Sequence, residues 1–159
     1  MNRDILEKLD DEDWDFYSGL PSPKHYSKMD RKIVWVNGSF DVLHVGHLRL
    51  LKHDASLGEL YVGIDTDRRI SELKGPTRPF NTLEDRKEML ASFHFVSKVF
   101  TFDTGDELRD LIKEVSPDYL VVGSEYQERG VIGGESAGEI VFFPRIPGYS
   151  TTNILNHDK

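Results

Sequence analysis

The chain has 159 residues, which is enough for one domain with a single sizeable core. Its 20 basic and 28 acidic residues give a formal net charge of −8, which argues against nucleic acid or an anionic membrane as main partner. The absence of cysteine excludes a disulfide framework, a thiol nucleophile and thiolate metal sites, and no apolar stretch approaches the length of a membrane span. We therefore expect a soluble, cytoplasmic protein.

Residues 1–31 differ in composition from the rest of the chain. An acidic run at 10–13 is followed by aromatic residues and then by a segment that contains glycine and proline. We interpret residues 1–31 as an acidic, partly ordered extension that packs its aromatic residues on the domain or on a neighbouring subunit. The alternative is a mobile tail. Residues 32–159 then form the main domain.

A buried strand, a turn and a helix are predicted in succession after residue 32. The apolar run at 33–36 suits a parallel strand, and Gly38 lets the backbone lie close to whatever sits at the strand's end. Helical spacing of apolar residues begins just after His44, so His44 and His47 lie in the first turn, where unpaired N–H groups and the helix dipole favour an anion. With the hydroxyl of Ser39, the two imidazoles predict a phosphate-binding corner. The alternatives are ordinary packing and a zinc site, and neither a cysteine nor an HExxH spacing supports zinc.

Strands and helices alternate along the rest of the chain. Strands are predicted at 60–64, 96–102, 119–122 and 140–143, and helices at 66–73, from a cap at Asn81 or Thr82 through Leu90, at 108–115, and from Ser150 onward. This alternation predicts an α/β fold, a Rossmann-like, doubly wound parallel sheet of about five strands with helices on both faces.

Ligands in such folds bind beyond the carboxyl ends of the strands, at a topological switch point. The first turn, the Asp65 loop, Gly123 and the Arg145 loop should converge there. Ser150 and Thr151, at the start of the last helix, offer a second anion corner that suits the β- and γ-phosphates of a nucleotide.

The sequence also carries a family resemblance. Gly38-Ser39-Phe40-Asp41, followed by His44-Val45-Gly46-His47, resembles the signature of the cytidylyltransferase-like nucleotidyltransferases, and the resemblance extends over residues 33–155. It implies that residues 32–159 form a nucleotidyltransferase domain, which joins a nucleoside triphosphate to a sugar or polyol phosphate and releases pyrophosphate. The nucleotide-binding residues would be Gly38, Ser39, Phe40, Asp41, His44, His47, Gly123, Arg145, Ser150 and Thr151.

The resemblance also assigns roles to residues outside the first turn. It implies that Lys74 and Arg78 contact phosphates and that Arg86 holds the acceptor phosphate. The acceptor-binding residues would be Asp65, Lys74, Arg78 and Arg86, and the catalytic ones His44, His47, Lys74 and Arg86. Asp41 is expected to hold the turn or to orient a histidine, because an anionic phosphate acceptor needs no general base. Mg²⁺ is expected as charge partner of the triphosphate, without a dedicated cage, and a homodimer is the family default.

Two subfamilies compete for the substrates. The run 73–86 and the segment 150–154 resemble the heptose-1-phosphate adenylyltransferase domain, whereas Arg145 fits the Arg-x-x-Gly-x-Ser-Thr-Thr form of glycerol-3-phosphate cytidylyltransferase. After the fourth strand the chain has Val-Gly-Ser-Glu-Tyr where the heptose enzymes carry Lys-Gly-Gly-Asp-Tyr. We favour ATP and a heptose-1-phosphate-like acceptor, with CTP and glycerol 3-phosphate as the alternative and a catalytically inactive nucleotide-binding module as a second. His25, His53, His94 and His157 are expected to be surface or packing residues.

Overall fold

A computed structural model describes residues 31–144 and 154–155. Its strands and helices are β1 (Ile33–Gly38), α1 (Val45–Leu57), β2 (Glu59–Asp65), α2 (Asp67–Lys74), α3 (Leu83–Ala91), β3 (Val96–Phe102), α4 (Gly105–Val115), β4 (Tyr119–Gly123) and β5 (Glu139–Phe143). Short 3₁₀ turns at Ser124–Tyr126 and Gly134–Ser136 lie in the loop between β4 and β5. The predicted N-terminal extension lies outside the described residues, apart from Arg31.

The five strands form one parallel sheet in the order β3-β2-β1-β4-β5. The chain runs outward from β1 to β3 and then returns to the other side of β1 to form β4 and β5. Strand order therefore reverses between β1 and β4, and this is the switch point at which open α/β sheets bind ligands. The Rossmann-like parallel sheet that the sequence predicts is confirmed.

Helices pack on both faces of the sheet because alternate residues of β1 point to opposite sides. Val34 belongs to a core cluster that includes Leu51 of α1 and Leu90 of α3. Trp35, its neighbour along the strand, belongs to a second cluster that includes Ile112 of α4. All five side chains are fully buried, and burying an aliphatic side chain of this size stabilises a fold by roughly 1.5–3 kcal/mol. The helices α1 and α3 thus cover one face, and α4 covers the other.

Each of the helices α1 to α4 begins at a side-chain cap, which also fixes the loop that precedes it. The hydroxyls of Thr66, Thr82 and Thr104 accept the third backbone N–H of α2, α3 and α4, the standard threonine cap. The start of α1 is different because a histidine, His44, provides its cap. Among the described helices, none has the length and apolar character needed to span a bilayer.

Candidate active site

A cavity of about 700 Å³ opens at the carboxyl ends of β1, β2 and β4, at the switch point of the sheet. The residues from the sequence prediction that line it are Gly38, Ser39, Phe40, His44, His47, Asp65, Lys74 and Gly123. Three other predicted site residues, Asp41, Arg78 and Arg86, lie behind its wall. Arg145, Ser150 and Thr151 lie outside the described residues, so their predicted nucleotide contacts stay predictions.

The two histidines at the start of α1 cap the helix reciprocally. The Nδ1 atom of His44 accepts the backbone N–H of Gly46 at 3.0 Å, and the Nδ1 atom of His47 accepts the backbone N–H of His44 at 3.2 Å. The two rings are stacked, with 3.8 Å between their centroids. Because each Nδ1 accepts a hydrogen bond, the proton of each neutral ring is on Nε2, which makes Nε2 a donor.

Both imidazoles are held in the neutral form. Burial lowers the pKa of His44. Burial, together with repulsion from the protonated form of His44 and from Lys74, lowers the pKa of His47 to about 4. At pH 7 these rings therefore act as N–H donors at a helix N-terminus and bring no full positive charge to the cavity.

Lys74 brings a cation to the same corner. It lies at the end of α2, and its Nζ donates to the Ser39 hydroxyl at 3.1 Å, which ties the loop after β1 to the loop after α2. Burial and the neighbouring charge of Arg78 lower the pKa of Lys74, while Asp65 and Asp41 oppose that shift.

Asp65, at the end of β2, is already paired inside the cavity. Its carboxylate accepts from Arg69 Nε at 2.9 Å, one helical turn further along the chain. Burial raises the pKa of Asp65 in spite of the opposing charges of Arg69, Lys74 and Arg86. Arg69 is not among the predicted site residues, although its i,i+4 spacing from Asp65 is a signal in the sequence that indicates the pair.

Asp41 is buried and holds the loop that follows α2. Its carboxylate accepts the backbone N–H groups of Phe80 and Asn81, both at 2.8 Å, and Nε of Arg78 at 3.1 Å. The Asn81 side chain donates back to the carbonyl of Asp41 at 2.6 Å. Burial raises the pKa of Asp41, but these hydrogen bonds outweigh it, so the net shift is downward. The contacts of Asp41 are with residues 78–81, and Arg78 is engaged by this carboxylate.

Arg86 is also buried, at 1% exposure, and its guanidinium is bonded entirely to protein groups. It donates to the carbonyls of Ser39 (3.0 Å), Asp65 (2.8 Å) and Asn81 (3.0 Å) and to the carboxylate of Asp67 (2.7 Å). The three carbonyls lie just after β1, at the end of β2 and in the loop before α3, and Asp67 is the first residue of α2. The predicted contact of Arg86 with an acceptor phosphate stays a prediction, since the observed contacts join three backbone segments.

The loop after β4 forms a wall that sequence reasoning missed. Tyr126, Arg129, Val131 and Ile132 all line the cavity. A side chain at Gly123 would meet the Glu125 carboxylate, which would have to move to make room for it. The charged and glycine-containing run 125–133 indicated only a loop, and its position over the cavity depends on tertiary packing.

Carboxylate donors around the cavity are few. Within the described residues, no group of three or more histidine, aspartate or glutamate side chains is arranged to hold a metal ion. Asp65 and Glu125 line the cavity, and Asp65 is paired with Arg69. Such a donor set fits Mg²⁺ that is held mainly by phosphate oxygens and water.

Comparison with known sequences places this geometry in a family. Residues 35–155 match the family described as "Cytidylyltransferase-like". The chain is similar to the "Bifunctional protein HldE" of Campylobacter fetus subsp. fetus, with 39% identity over 97% of this chain and 34% of the relative. It is also similar to the protein of the same name from Helicobacter hepaticus, with 46% identity over 78% of this chain and 26% of the relative. The chain thus spans about a quarter to a third of the length of these curated relatives.

Solved structures agree with the fold. The lipopolysaccharide core biosynthesis protein from Thermoplasma volcanium matches with a TM-score of 0.56 and 26% identity, over 76% of this chain and 99% of that chain. The pantothenate synthetase from Thermus thermophilus matches with a TM-score of 0.53 and 15% identity, over 89% of this chain and 65% of that one. The second likeness concerns the fold alone.

Proposed function

The chain belongs to the cytidylyltransferase-like family and is a nucleotidyltransferase; on this basis we propose that it joins a nucleoside triphosphate to a sugar or polyol phosphate. An oxygen of the acceptor phosphate attacks the α-phosphorus, and the bond from that phosphorus to the oxygen bridging the α- and β-phosphates breaks. Pyrophosphate leaves with the electron pair of the broken bond. An acceptor phosphate is already anionic near pH 7, so no side chain needs to remove a proton.

The reciprocal cap of His44 and His47 is the observation that carries this proposal. It fixes two neutral imidazoles, each with its donor on Nε2, at the N-terminus of α1 beside Lys74. Catalysis of phosphoryl-type transfer is mostly positioning and stabilisation of charge. Donors that are held before the substrate arrives can stabilise negative charge as it develops on the α-phosphoryl group. Lys74 supplies the full positive charge that the imidazoles do not.

Mg²⁺ is the cofactor we propose. It would supply charge neutralisation at the triphosphate, and Asp65 and Glu125 are carboxylates of the cavity lining that would orient its water. The chain's own contribution is different, because His44, His47 and Lys74 bind and orient the nucleotide directly.

ATP and a heptose-1-phosphate-like acceptor are the substrates we propose. The run 73–86 supports this choice, as does similarity to the bifunctional HldE proteins and to a lipopolysaccharide core biosynthesis protein. The alternative pair, CTP and glycerol 3-phosphate, is supported by the position of Arg145 in the sequence. A homodimer is the assembly we expect.

The test is release of pyrophosphate from the purified protein with Mg²⁺. ATP and CTP are each paired with heptose 1-phosphate, glycerol 3-phosphate and other sugar phosphates. We expect release with ATP and a sugar 1-phosphate. Release with CTP alone would reverse the choice of nucleotide. Binding of a nucleotide without release from any pair would favour an inactive binding module.

A matched pair of histidine variants tests the role of the cap. His47→Ala should lower turnover by about a hundredfold or more, since it removes a preorganised donor, while the affinity for the nucleotide stays within a few-fold. His94→Ala changes an exposed histidine outside the cavity and should leave turnover unchanged. Equal turnover in the two variants would contradict the assigned role of His47.

A further inference from the structure

Two anionic substrates need more positive charge than the described residues discussed so far bring to the cavity. A triphosphate and a phosphate ester together bring several negative charges into a protein whose formal net charge is −8. The two cavity histidines are neutral at pH 7, and Arg69 is paired with Asp65. Behind the wall, Arg86 is bonded to protein groups, and Arg78 pairs with Asp41 through Nε, while its Nη2 atom is buried without a hydrogen-bond partner among the described residues. Lys74 is thus one cation in the described lining that faces no carboxylate partner within 4.0 Å.

Arg129 is the other such cation. It lines the cavity from the loop after β4, and its backbone N–H donates to the carbonyl of Tyr126 at 3.2 Å. Across residues 31–144 and 154–155, no carboxylate lies within 4.0 Å of its guanidinium, and no protein group accepts from it. An exposed guanidinium that faces a cavity without a protein partner is ready to bind an anion.

The loop that carries Arg129 is seated firmly on the protein. Val131 packs against the cluster of Trp35 and Ile112, on the α4 face of the sheet. Gly133, whose φ is 82°, lies so close to Ile112 that a side chain there would collide with it. Arg129 therefore faces the cavity from the α4 side, whereas His44 and His47 face it from the α1 side.

We propose that Arg129 binds the phosphate of the acceptor, which it holds opposite the histidine corner. This inference rests on the proposed function. The proposed function assigns the start of α1 and Lys74 to the nucleotide, although the family resemblance implied that Lys74 contacts the acceptor. Within the described lining, Arg129 is then the cation on the opposite wall that is left for the second anion. The planar guanidinium matches a phosphate monoester through two parallel hydrogen bonds.

Three apolar and aromatic side chains of the same cavity also indicate the class of acceptor. Leu73, Tyr126 and Ile132 line the same cavity and are 64%, 45% and 37% exposed. An apolar and aromatic rim suits a ligand that presents a face of C–H groups. A pyranose ring has such a face and glycerol does not, so the acceptor of this site is a cyclic sugar phosphate.

Steady-state kinetics with two Arg129 variants and one control test the proposal. Arg129→Gln should raise the acceptor KM by about tenfold and change the ATP KM by less than about threefold. The tenfold effect is at the lower end for the loss of a charged hydrogen bond, because the side chain is exposed. Arg129→Lys keeps the charge but loses the fork, and should fall between Arg129→Gln and the wild type. Lys113→Gln removes one positive charge from the exposed side of α4 and should match the wild type.

A binding measurement separates this inference from the proposed function. Inorganic phosphate is titrated calorimetrically into wild type and Arg129→Gln, each saturated with α,β-methylene-ATP. If the wild type catalyses the reaction, the acceptor KM tests the role of Arg129. An unchanged acceptor KM or a raised ATP KM in Arg129→Gln would then overturn this inference and leave the proposed function intact. If no acceptor is turned over, the proposed function fails, and the phosphate titration tests whether Arg129 binds an anion. Weaker phosphate binding by Arg129→Gln then supports an anion site at Arg129, and equal binding overturns it.

Discussion

Asp41 and Asp54 are both buried aspartates in neighbouring parts of the chain, yet they differ in the hydrogen bonds that their carboxylates receive. The side chain of Asp41 accepts three hydrogen bonds, and these hold its pKa below the ordinary value in spite of burial. The side chain of Asp54 is fully buried in the second half of α1, 3.5 Å from Nδ1 of His53. Burial raises the pKa of Asp54 to about 6, against the opposing effect of His53.

The comparison shows where this fold places its satisfied polar groups. Around Asp41 and Arg86, buried charges are matched by backbone donors and acceptors, and the result is a fixed wall behind the cavity. Nδ1 of His53, 3.5 Å from the Asp54 carboxylate, is too distant for a good hydrogen bond, and within the described residues no other group hydrogen-bonds to that carboxylate. Asp54 is not part of the cavity lining. An unsatisfied buried carboxylate destabilises a fold. The first region should therefore contribute stability and the second should reduce it.

Breaking the satisfied region should give the largest effect. Arg86→Met removes the donors of three backbone carbonyls and the partner of Asp67, and should lower the free energy of unfolding by about 3–5 kcal/mol. Urea denaturation measures it. Arg68→Met is the control, because Arg68 of α2 makes only exposed contacts, with Glu72 on the same helix and with the carboxylate and carbonyl of Asp103 after β3. This variant should unfold much like the wild type. Similar urea midpoints for the two variants would contradict the structural role assigned to Arg86.

Neutralising Asp41 should have the next largest effect. Asp41→Asn keeps the shape but places an amide against donors from residues 78–81, and should lower stability by about 2–3 kcal/mol. The loop carrying Arg78 would loosen, so we also expect weaker binding of the phosphate substrates. Asp110→Asn alters an exposed carboxylate on α4 and serves as the reference. Wild-type stability of Asp41→Asn would show that the hydrogen bonds of Asp41 contribute nothing.

The same substitution at Asp54 should act in the opposite direction. A pKa raised from 3.8 to about 6 corresponds to roughly 3 kcal/mol of destabilisation when the carboxylate is ionised. An asparagine still buries a polar group, so Asp54→Asn should raise stability at pH 8 by about 1–2 kcal/mol. Thermal and urea unfolding would each detect this gain. A loss of stability instead would mean that the ionised carboxylate has a partner that stabilises it.

The smallest expected effect is the net change in wild-type stability with pH. The contribution of Asp54 is unfavourable above pH 6 and is relieved as the pH falls toward 3.8. His47, with a pKa lowered from 6.5 to about 4, contributes stability that is full above pH 6.5 and is lost as the pH falls toward 4. The two slopes oppose each other in the wild type. His47 is present in both proteins, so its slope cancels when they are compared. The advantage of Asp54→Asn should fall by roughly 2–2.5 kcal/mol between pH 7 and pH 4 and so vanish or reverse, and a constant advantage would contradict this account.

The sequence predicted most of the sheet because its strands are short apolar runs with glycine, proline or polar residues after them. Predicted strands at 96–102 and 140–143 correspond to Val96–Phe102 and Glu139–Phe143. Of the two caps predicted for α3, Asn81 and Thr82, the structure has Thr82. The first strand extends to Gly38, beyond the end of its apolar run, because backbone pairing with β2 continues there.

The contacts behind the cavity could not be predicted, because they join residues that lie far apart in sequence. Arg86 reaches the carbonyl of Ser39, 47 positions away, and Asp41 reaches Asn81, 40 positions away. In the sequence, Arg86 is one charge on a helix face, and only tertiary packing makes it a link between strand ends. His53 was expected to be a surface or packing residue, and it is buried at 1% exposure, whereas His94 is exposed.

The histidine cap of α1 has a consequence for motion at the start of this helix. The amide protons of His44 and Gly46 are each bonded to an imidazole, so hydrogen exchange at either position requires that ring to move away. Exchange at these two amides thus reports how often the first turn opens. A bound nucleotide that holds the rings should slow both amides together. Exchange at the amides of His44 and Gly46 can therefore measure how often the histidine cap is closed, without any turnover of substrate.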